Sequence, residues 1–119
     1  ADIDVSASVS AFGAVEPFFN PYWHRMTDRC CSRGGLVLDV GANFGYYSLF
    51  AAKLGCRVVA WEPVPKFRAF LEVSAALNSL SHRIHVRNSV LSDVAGQVVN
   101  VTVPLRGIWG TASIDGINL

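Results

Sequence analysis

The chain has 119 residues, of which 51% are hydrophobic and 16% charged, and its ten Lys and Arg residues nearly balance nine Asp and Glu residues. This composition predicts a folded domain with a buried core and excludes intrinsic disorder. The basic residues are dispersed, so a nucleic-acid partner is not expected. No apolar run reaches the roughly 18 residues that a membrane-spanning helix needs.

Residues 1–33 are predicted to form an N-terminal arm and a short helix. Residues 1–15 show no sustained periodicity, which is typical of a loosely held arm. An aromatic and then polar run predicts a short helix after Pro21, and a Gly-Gly pair at 34–35 predicts a break after it.

From residue 34 to residue 119, alternating apolar patterns predict the domain itself. Strands are expected at 36–40, 57–61 and 83–87, with an extra strand at 97–103. Helices are expected from about 44 to 54 and from Pro65 to about 78. The second of these helices is expected to share one apolar face among Phe67, Phe70, Leu71, Ser74 and Leu77. The first two strands are predicted to be buried on both faces, and the third is predicted to lie near an edge of the sheet. Because strands alternate with single helices, the order β-α-β-α-β predicts a doubly wound, Rossmann-like parallel sheet.

The three cysteines are Cys30, Cys31 and Cys56, an odd count without metal-ligand spacing. We therefore expect reduced, partly buried thiols rather than a disulfide or a metal site. Reduced thiols are compatible with a cytoplasmic location, although the sequence itself assigns no compartment.

Glycine and acidic residues cluster where the first two strands end, which is where doubly wound sheets bind ligands. The first turn is the segment 39–45, DVGANFG, and the second is 61–63, WEP. Gly41 allows the backbone to approach a ligand, and Gly45 allows the start of the helix to lie close to the strand or the ligand.

The charge of these two turns favours a cationic ligand. The first turn has a G-x-x-x-G spacing, whereas the dinucleotide fingerprint is G-x-G-x-x-G. Asp39 would repel a pyrophosphate and attract an ammonium or sulfonium ion. Glu62 lies where a carboxylate can accept hydrogen bonds from ribose hydroxyls. A cation joined to a ribose describes S-adenosylmethionine.

Four segments resemble the FkbM-type methyltransferases of the class I S-adenosylmethionine-dependent fold: LVLDVGANFG (36–45), VVAWEP (58–63), NSVLSDVAG (88–96) and GTAS (110–113). The resemblance implies that Asp39, Gly41, Asn43 and Gly45 hold the methionine end of the cofactor, that Glu62 binds the ribose and that residues 88–91 border the adenine. Ala42, Pro63, Ser89 and Val90 complete the predicted cofactor-binding set. The implied reaction is O-methylation of a hydroxyl on a small molecule or sugar.

The family's later K-x-D-x-E-G motif does not occur in the chain. We therefore expect residues 34–119 to form the N-terminal, cofactor-binding half of a truncated class I fold, inactive without the C-terminal half of the same protein. The first strand should then have an open edge. No residue is identified as the general base or as a metal ligand.

Two other functions are compatible with the sequence. A nicotinamide-dependent oxidoreductase shares the β-α-β frame and the ribose-binding acid. A non-catalytic α/β interaction domain could keep the first turn for structural reasons, with Asp39 capping N–H groups of its own turn and Glu62 as a solvated charge at the end of a strand.

Overall fold

The computed structural model describes residues 4–105 and 112–114, so Gly110 and Thr111 of the GTAS segment lie outside the described residues. The chain divides into two compact units, residues 22–91 and residues 1–21 with 92–119. The helices are α1 (Asp4–Phe12), α2 (Asn20–Cys31), α3 (Tyr46–Lys53) and α4 (Pro65–Leu77). The strands are β1 (Leu36–Val40), β2 (Arg57–Trp61), β3 (Ile84–Arg87), β4 (Val101–Thr102) and β5 (Ser113–Ile114).

The first three strands form a parallel sheet in the order β1-β2-β3. Helix α3 connects β1 to β2, and α4 connects β2 to β3, so the β-α-β-α-β order predicted from residue 36 onward is confirmed. Within the described residues β1 and β3 are the edges of this sheet. The carboxyl ends of all three strands therefore lie at one end of the sheet.

Helices α3 and α4 cover one face of the sheet and leave the other face of β1 open. Val58 and Ala60 point to the helices and are buried, whereas Leu36, Leu38 and Val40 are 50%, 59% and 56% exposed. The prediction that β1 is buried on both faces is therefore wrong. A strand face is buried only when a second layer packs on it, and the apolar run cannot show whether that layer is present.

The buried stripe of α4 also differs from the predicted one. Phe67, Leu71 and Ala75 are buried, while Phe70 and Leu77 are 51% and 82% exposed. Positions four residues apart follow the line along which the helix contacts its neighbours, and the small Ala75 permits close packing there. The ring of Phe70 instead meets the ring of Phe44, with centroids 5.4 Å apart.

Cys31 and Cys56 form a disulfide between the end of α2 and the residue before β2. Both residues are buried, and Cys30 is an exposed free thiol. The prediction of reduced thiols is wrong for this pair. The two cysteines are separated by 25 positions in sequence, but the fold brings their Cα atoms to within 4.2 Å of each other. Buried disulfides are typical of oxidising compartments, so reduced thiols no longer argue for a cytoplasmic location.

The unit that contains the chain ends departs twice from expectation. Residues 4–12, predicted to be part of a loose arm, form the helix α1, which contains neither Gly nor Pro. The helix ends at Gly13, which has a φ angle of 68° and whose N–H donates to the carbonyl of Val9. The strand predicted at 97–103 is limited to β4, which pairs antiparallel with β5 and not with the main sheet. A strand extends only as far as its partner, and alternation alone does not locate the partner.

Among residues 4–105 and 112–114, none of the helices has the length and apolar character that crossing a bilayer requires. The same residues contain no cluster of three or more His, Cys, Asp or Glu side chains arranged to bind a metal ion.

Candidate functional site

The turn between β1 and α3 contains three residues with left-handed backbone conformations. The φ angles are 75° at Gly41, 52° at Asn43 and 87° at Gly45. Glycine adopts this region at little cost, and asparagine tolerates it better than most residues. The Oδ1 atom of Asn43 accepts the N–H of Phe44 at 2.7 Å, which stabilises the turn at its only non-glycine left-handed position.

The two glycines of this turn have different surroundings. A Cβ atom on Gly41 would meet no atom within 4 Å, so the space beside this residue is open. A Cβ atom on Gly45 would lie 2.2 Å from Cδ1 of Leu71, a fully buried residue of α4. Gly41 therefore leaves room for a ligand, whereas Gly45 is required for close contact between the start of α3 and α4.

The N–H groups of the turn are used within the protein. Those of Gly41 and Ala42 donate to the carbonyl of Trp61 at 2.9 and 3.0 Å, and that of Gly45 donates to the carbonyl of Ala42 at 2.8 Å. The N–H of Asn43 donates to Glu62. Phosphate-binding turns instead direct free N–H groups at the ligand, so this turn lacks an open cradle for a pyrophosphate.

Asp39 caps the N-terminus of α3. Its Oδ2 accepts the hydroxyl of Ser48 at 2.6 Å, and the carboxylate also accepts the main-chain N–H of Ser48, the third residue of the helix. Burial raises the pKa of the Asp39 carboxyl, and the two hydrogen bonds from Ser48 partly oppose that rise. Asp39 therefore does not cap the N–H groups of its own turn, the role considered for it above, because those groups have other acceptors. It bonds the start of α3 instead, which puts a carboxylate where a dinucleotide-binding fold would bind phosphate.

Glu62 is buried and joins the two turns. Its Oε2 accepts the N–H of Asn43 and its Oε1 accepts the N–H of Val64, both at 2.8 Å. With 4% of its surface exposed, Glu62 is not the solvated strand-end charge considered above. Each carboxylate oxygen has two acceptor positions, so each can take one further hydrogen bond.

The two acidic residues lie at the same end of the sheet. Asp39 is in β1, where it is the register partner of Ala60, and Glu62 directly follows β2. Glu62 also accepts the N–H of Asn43, in the turn that follows β1. Both carboxylates are therefore at the end of the sheet where the sequence analysis placed the site.

The segment after β3, residues 88–91, lies at the same end of the sheet. Asn88 and Ser89 are exposed and Val90 is half-buried. Nη1 of Arg68 donates to the Oδ1 of Asn88 and, at 3.1 Å, to the carbonyl of Pro63. Sequence reasoning missed both Arg68 and Ser48. Ser48 is the third residue of α3, but the helix was predicted from about residue 44, which hid its place in the first turn. No local pattern marks Arg68.

Comparison with known proteins shows which protein family the chain is related to. No family model matches the chain. The 31-O-demethyl-FK506 methyltransferase FkbM of Streptomyces tacrolimicus is 36% identical in an alignment of 99 residues that covers 76% of this chain and 37% of that relative. The chain belongs with the FkbM-type methyltransferases. It spans 37% of the length of this relative.

Solved structures of other methyltransferases are similar to the chain in fold. The FkbM-type chain matches an S-adenosylmethionine-dependent methyltransferase from Agrobacterium tumefaciens with a TM-score of 0.54 and 22% identity, over 62% of this chain and 25% of that chain. It matches TYW2 of Pyrococcus horikoshii, solved in complex with MeSAdo, with a TM-score of 0.51 and 29% identity, over 60% of this chain and 27% of that chain. The predicted fold class is confirmed: the parallel sheet is part of a Rossmann-like, class I methyltransferase fold.

Proposed function

We propose that this chain binds S-adenosylmethionine and supplies the cofactor-binding part of an O-methyltransferase. The acceptor would be a hydroxyl of a small molecule or a sugar. The name of the Streptomyces relative, a 31-O-demethyl-FK506 methyltransferase, supports this reaction class.

The position of Asp39 carries the proposal. A half-buried carboxylate at the start of α3, beside N–H groups already bonded within the turn, favours a positive group over a phosphate. In S-adenosylmethionine the positive groups belong to the methionine part. Residues 39–45 would hold that part, and the open space beside Gly41 leaves room for it.

The ribose and adenine would follow along the ends of β2 and β3. Glu62 has one free acceptor position on each carboxylate oxygen, which suits the two hydroxyls of a ribose. Ser89 and Val90, in the segment after β3, would border the adenine. The cofactor-binding residues proposed are Asp39, Gly41, Ala42, Asn43, Gly45, Glu62, Pro63, Ser89 and Val90.

Bound S-adenosylmethionine would supply a methyl group activated by its sulfonium: the acceptor oxygen would bond to the methyl carbon as the carbon–sulfur bond breaks, S-adenosylhomocysteine would leave, and the hydroxyl proton would be lost to a base. The residues of this chain would orient the donor and exclude water around it, which are the main tasks of a protein in such a transfer.

The exposed face of β1 supports a larger active unit. Leu36, Leu38 and Val40 form an apolar strip that soluble proteins rarely leave uncovered. We infer that a further part of the same protein packs on this strip and provides the acceptor site, so methyl transfer would require both parts.

Isothermal titration of the 119-residue chain tests the proposal. We expect binding of S-adenosylhomocysteine, weaker binding of adenosine, and no heat with NAD+. Binding of NAD+ in preference to S-adenosylhomocysteine would favour the oxidoreductase. Absence of binding by all three would favour the non-catalytic interaction domain.

A further inference from the structure

Arg68 connects two turns that the chain separates by more than twenty residues. Its Nη1 contacts three acceptors: the carbonyl of Glu62 at 3.3 Å, the carbonyl of Pro63 at 3.1 Å and the Oδ1 of Asn88. The first two follow β2 and the third follows β3. One guanidinium group therefore joins the ends of two neighbouring strands.

The location of Arg68 is unfavourable for the helix that carries it. Arg68 lies in the first turn of α4, where the helix dipole disfavours a positive charge. The guanidinium projects back to the carbonyls that precede the helix and to Asn88, which is exposed. Its hydrogen bonds therefore stabilise the two turns and do not stabilise α4.

These contacts set the spacing between Glu62 and the segment 88–90. All three acceptors bond the same Nη1 atom, which has two N–H groups, so they are held within hydrogen-bond distance of one point. The carboxylate of Glu62 is already fixed by Asn43 and Val64. Arg68 then fixes Asn88, and with it the start of the segment after β3, relative to Glu62.

We propose that Arg68 is a positioning residue for the adenosine part of the cofactor. It holds the turn that would bind the ribose at a set distance from the segment that would border the adenine. This inference rests on the proposed function, because it assumes that a nucleoside lies between Glu62 and Val90.

The decisive variant is Arg68→Met, which keeps much of the aliphatic side chain and removes every N–H donor. We expect its affinities for S-adenosylhomocysteine and for adenosine to fall by the same factor, about tenfold, because both ligands carry the nucleoside. Arg68→Lys should recover part of the loss, since an ammonium is also a donor for these acceptors but stands on a shorter side chain.

Arg83 offers a matched control. Its Nη1 donates to the carbonyl of Gly55 at 2.8 Å, which joins the segments before β2 and β3 at the opposite end of the strands. Arg83→Met should leave both ligand affinities within about twofold of the unmodified chain. An equal loss in both variants would mean a general structural effect and would overturn the proposal.

Backbone 15N relaxation tests the same idea without a ligand. The heteronuclear NOE values of residues 88–91 should fall in Arg68→Met and stay unchanged in Arg83→Met, because only the first variant releases this segment from the turn after β2. Unchanged values at 88–91 in Arg68→Met would overturn the proposal even if the proposed cofactor proves wrong. Failure of the unmodified chain to bind either ligand would refute the proposed function, and the positioning role of Arg68 toward a nucleoside would fall with it.

Asn88 provides a second route if Arg68→Met does not fold. Asn88→Ala removes the side-chain acceptor of Arg68 and should produce the same fall in the NOE values of residues 88–91 and the same loss of affinity for both ligands. Asn88→Asp keeps an acceptor for the guanidinium and should leave these NOE values as in the unmodified chain. Loss of S-adenosylhomocysteine affinity without loss of adenosine affinity would contradict the assignment to the nucleoside.

Discussion

The carboxylate of Glu62 accepts the main-chain N–H of Asn43 at 2.8 Å, so the residue that follows β2 fixes the turn that follows β1. Its other oxygen accepts the N–H of Val64, the residue before α4. Glu62 is therefore part of the framework of the site as well as a candidate ligand for ribose. Loss of nucleoside binding on replacing Glu62 would not by itself separate these two roles.

Glu62→Gln should lower the free energy of unfolding by about 1–3 kcal/mol, because the new NH2 group would face one of the two main-chain donors and leave it unsatisfied. Urea denaturation at neutral pH measures this change. The control is Glu72→Gln, on an exposed position of α4, which we expect to remain within about 0.5 kcal/mol of the unmodified chain. Equal changes in the two variants would contradict the framework role of Glu62.

Asp39→Asn should stabilise the ligand-free chain at neutral pH. Burial raises the pKa of Asp39 above its value in the unfolded chain, so the ionised carboxylate costs free energy in the folded state. As the pH rises, the unfolded chain loses this proton first, and stability falls between the unfolded and the folded pKa. The advantage of the variant should therefore vanish below about pH 4 and be complete above the folded pKa. Urea denaturation across this range, with the exposed Asp93→Asn as control, checks the trend.

The same Asp39→Asn substitution should weaken cation binding. We expect about a tenfold or greater loss of affinity for S-adenosylhomocysteine, whose amino-acid part carries an ammonium, and no change for adenosine. Titration calorimetry of both ligands distinguishes the two effects. Equal loss for adenosine would show that Asp39 does not act on the methionine end.

Gly41→Ala and Gly45→Ala should differ in stability although both residues have positive φ. The backbone conformation alone costs about 1–2 kcal/mol for a side chain at either position. Gly45→Ala should lose about 1–3 kcal/mol more, because its Cβ would overlap Leu71. Denaturation midpoints measure the difference, and similar midpoints would contradict the close contact between the start of α3 and α4.

Removal of the disulfide should destabilise the chain. Cys31→Ser is expected to cost about 2–4 kcal/mol, the usual range for losing a cross-link that closes a loop of this size. Cys30→Ser should have little effect, because this thiol is exposed and free. Denaturation with and without a reducing agent gives a second check: the unmodified chain should weaken on reduction, and Cys31→Ser should not.

The strands and helices between residues 36 and 87 could be predicted from sequence because their signals are local. Apolar runs, the glycines at 41, 45 and 55, and Pro65 each act on their own neighbourhood. The elements near the chain ends were less predictable, since β4 exists only where β5 pairs with it.

The sequence by itself determined the alternation of strands and helices, the glycine-containing turn after β1 and the presence of an acidic residue at the ends of β1 and β2. These properties depend on residues within a few positions of one another. Only the tertiary structure decided that Cys31 bonds Cys56, that Leu71 lies against Gly45, that Glu62 fixes Asn43 and that one face of β1 is open. Each of those facts depends on the path of the chain between distant residues, and hydrophobic periodicity carries no information about that path.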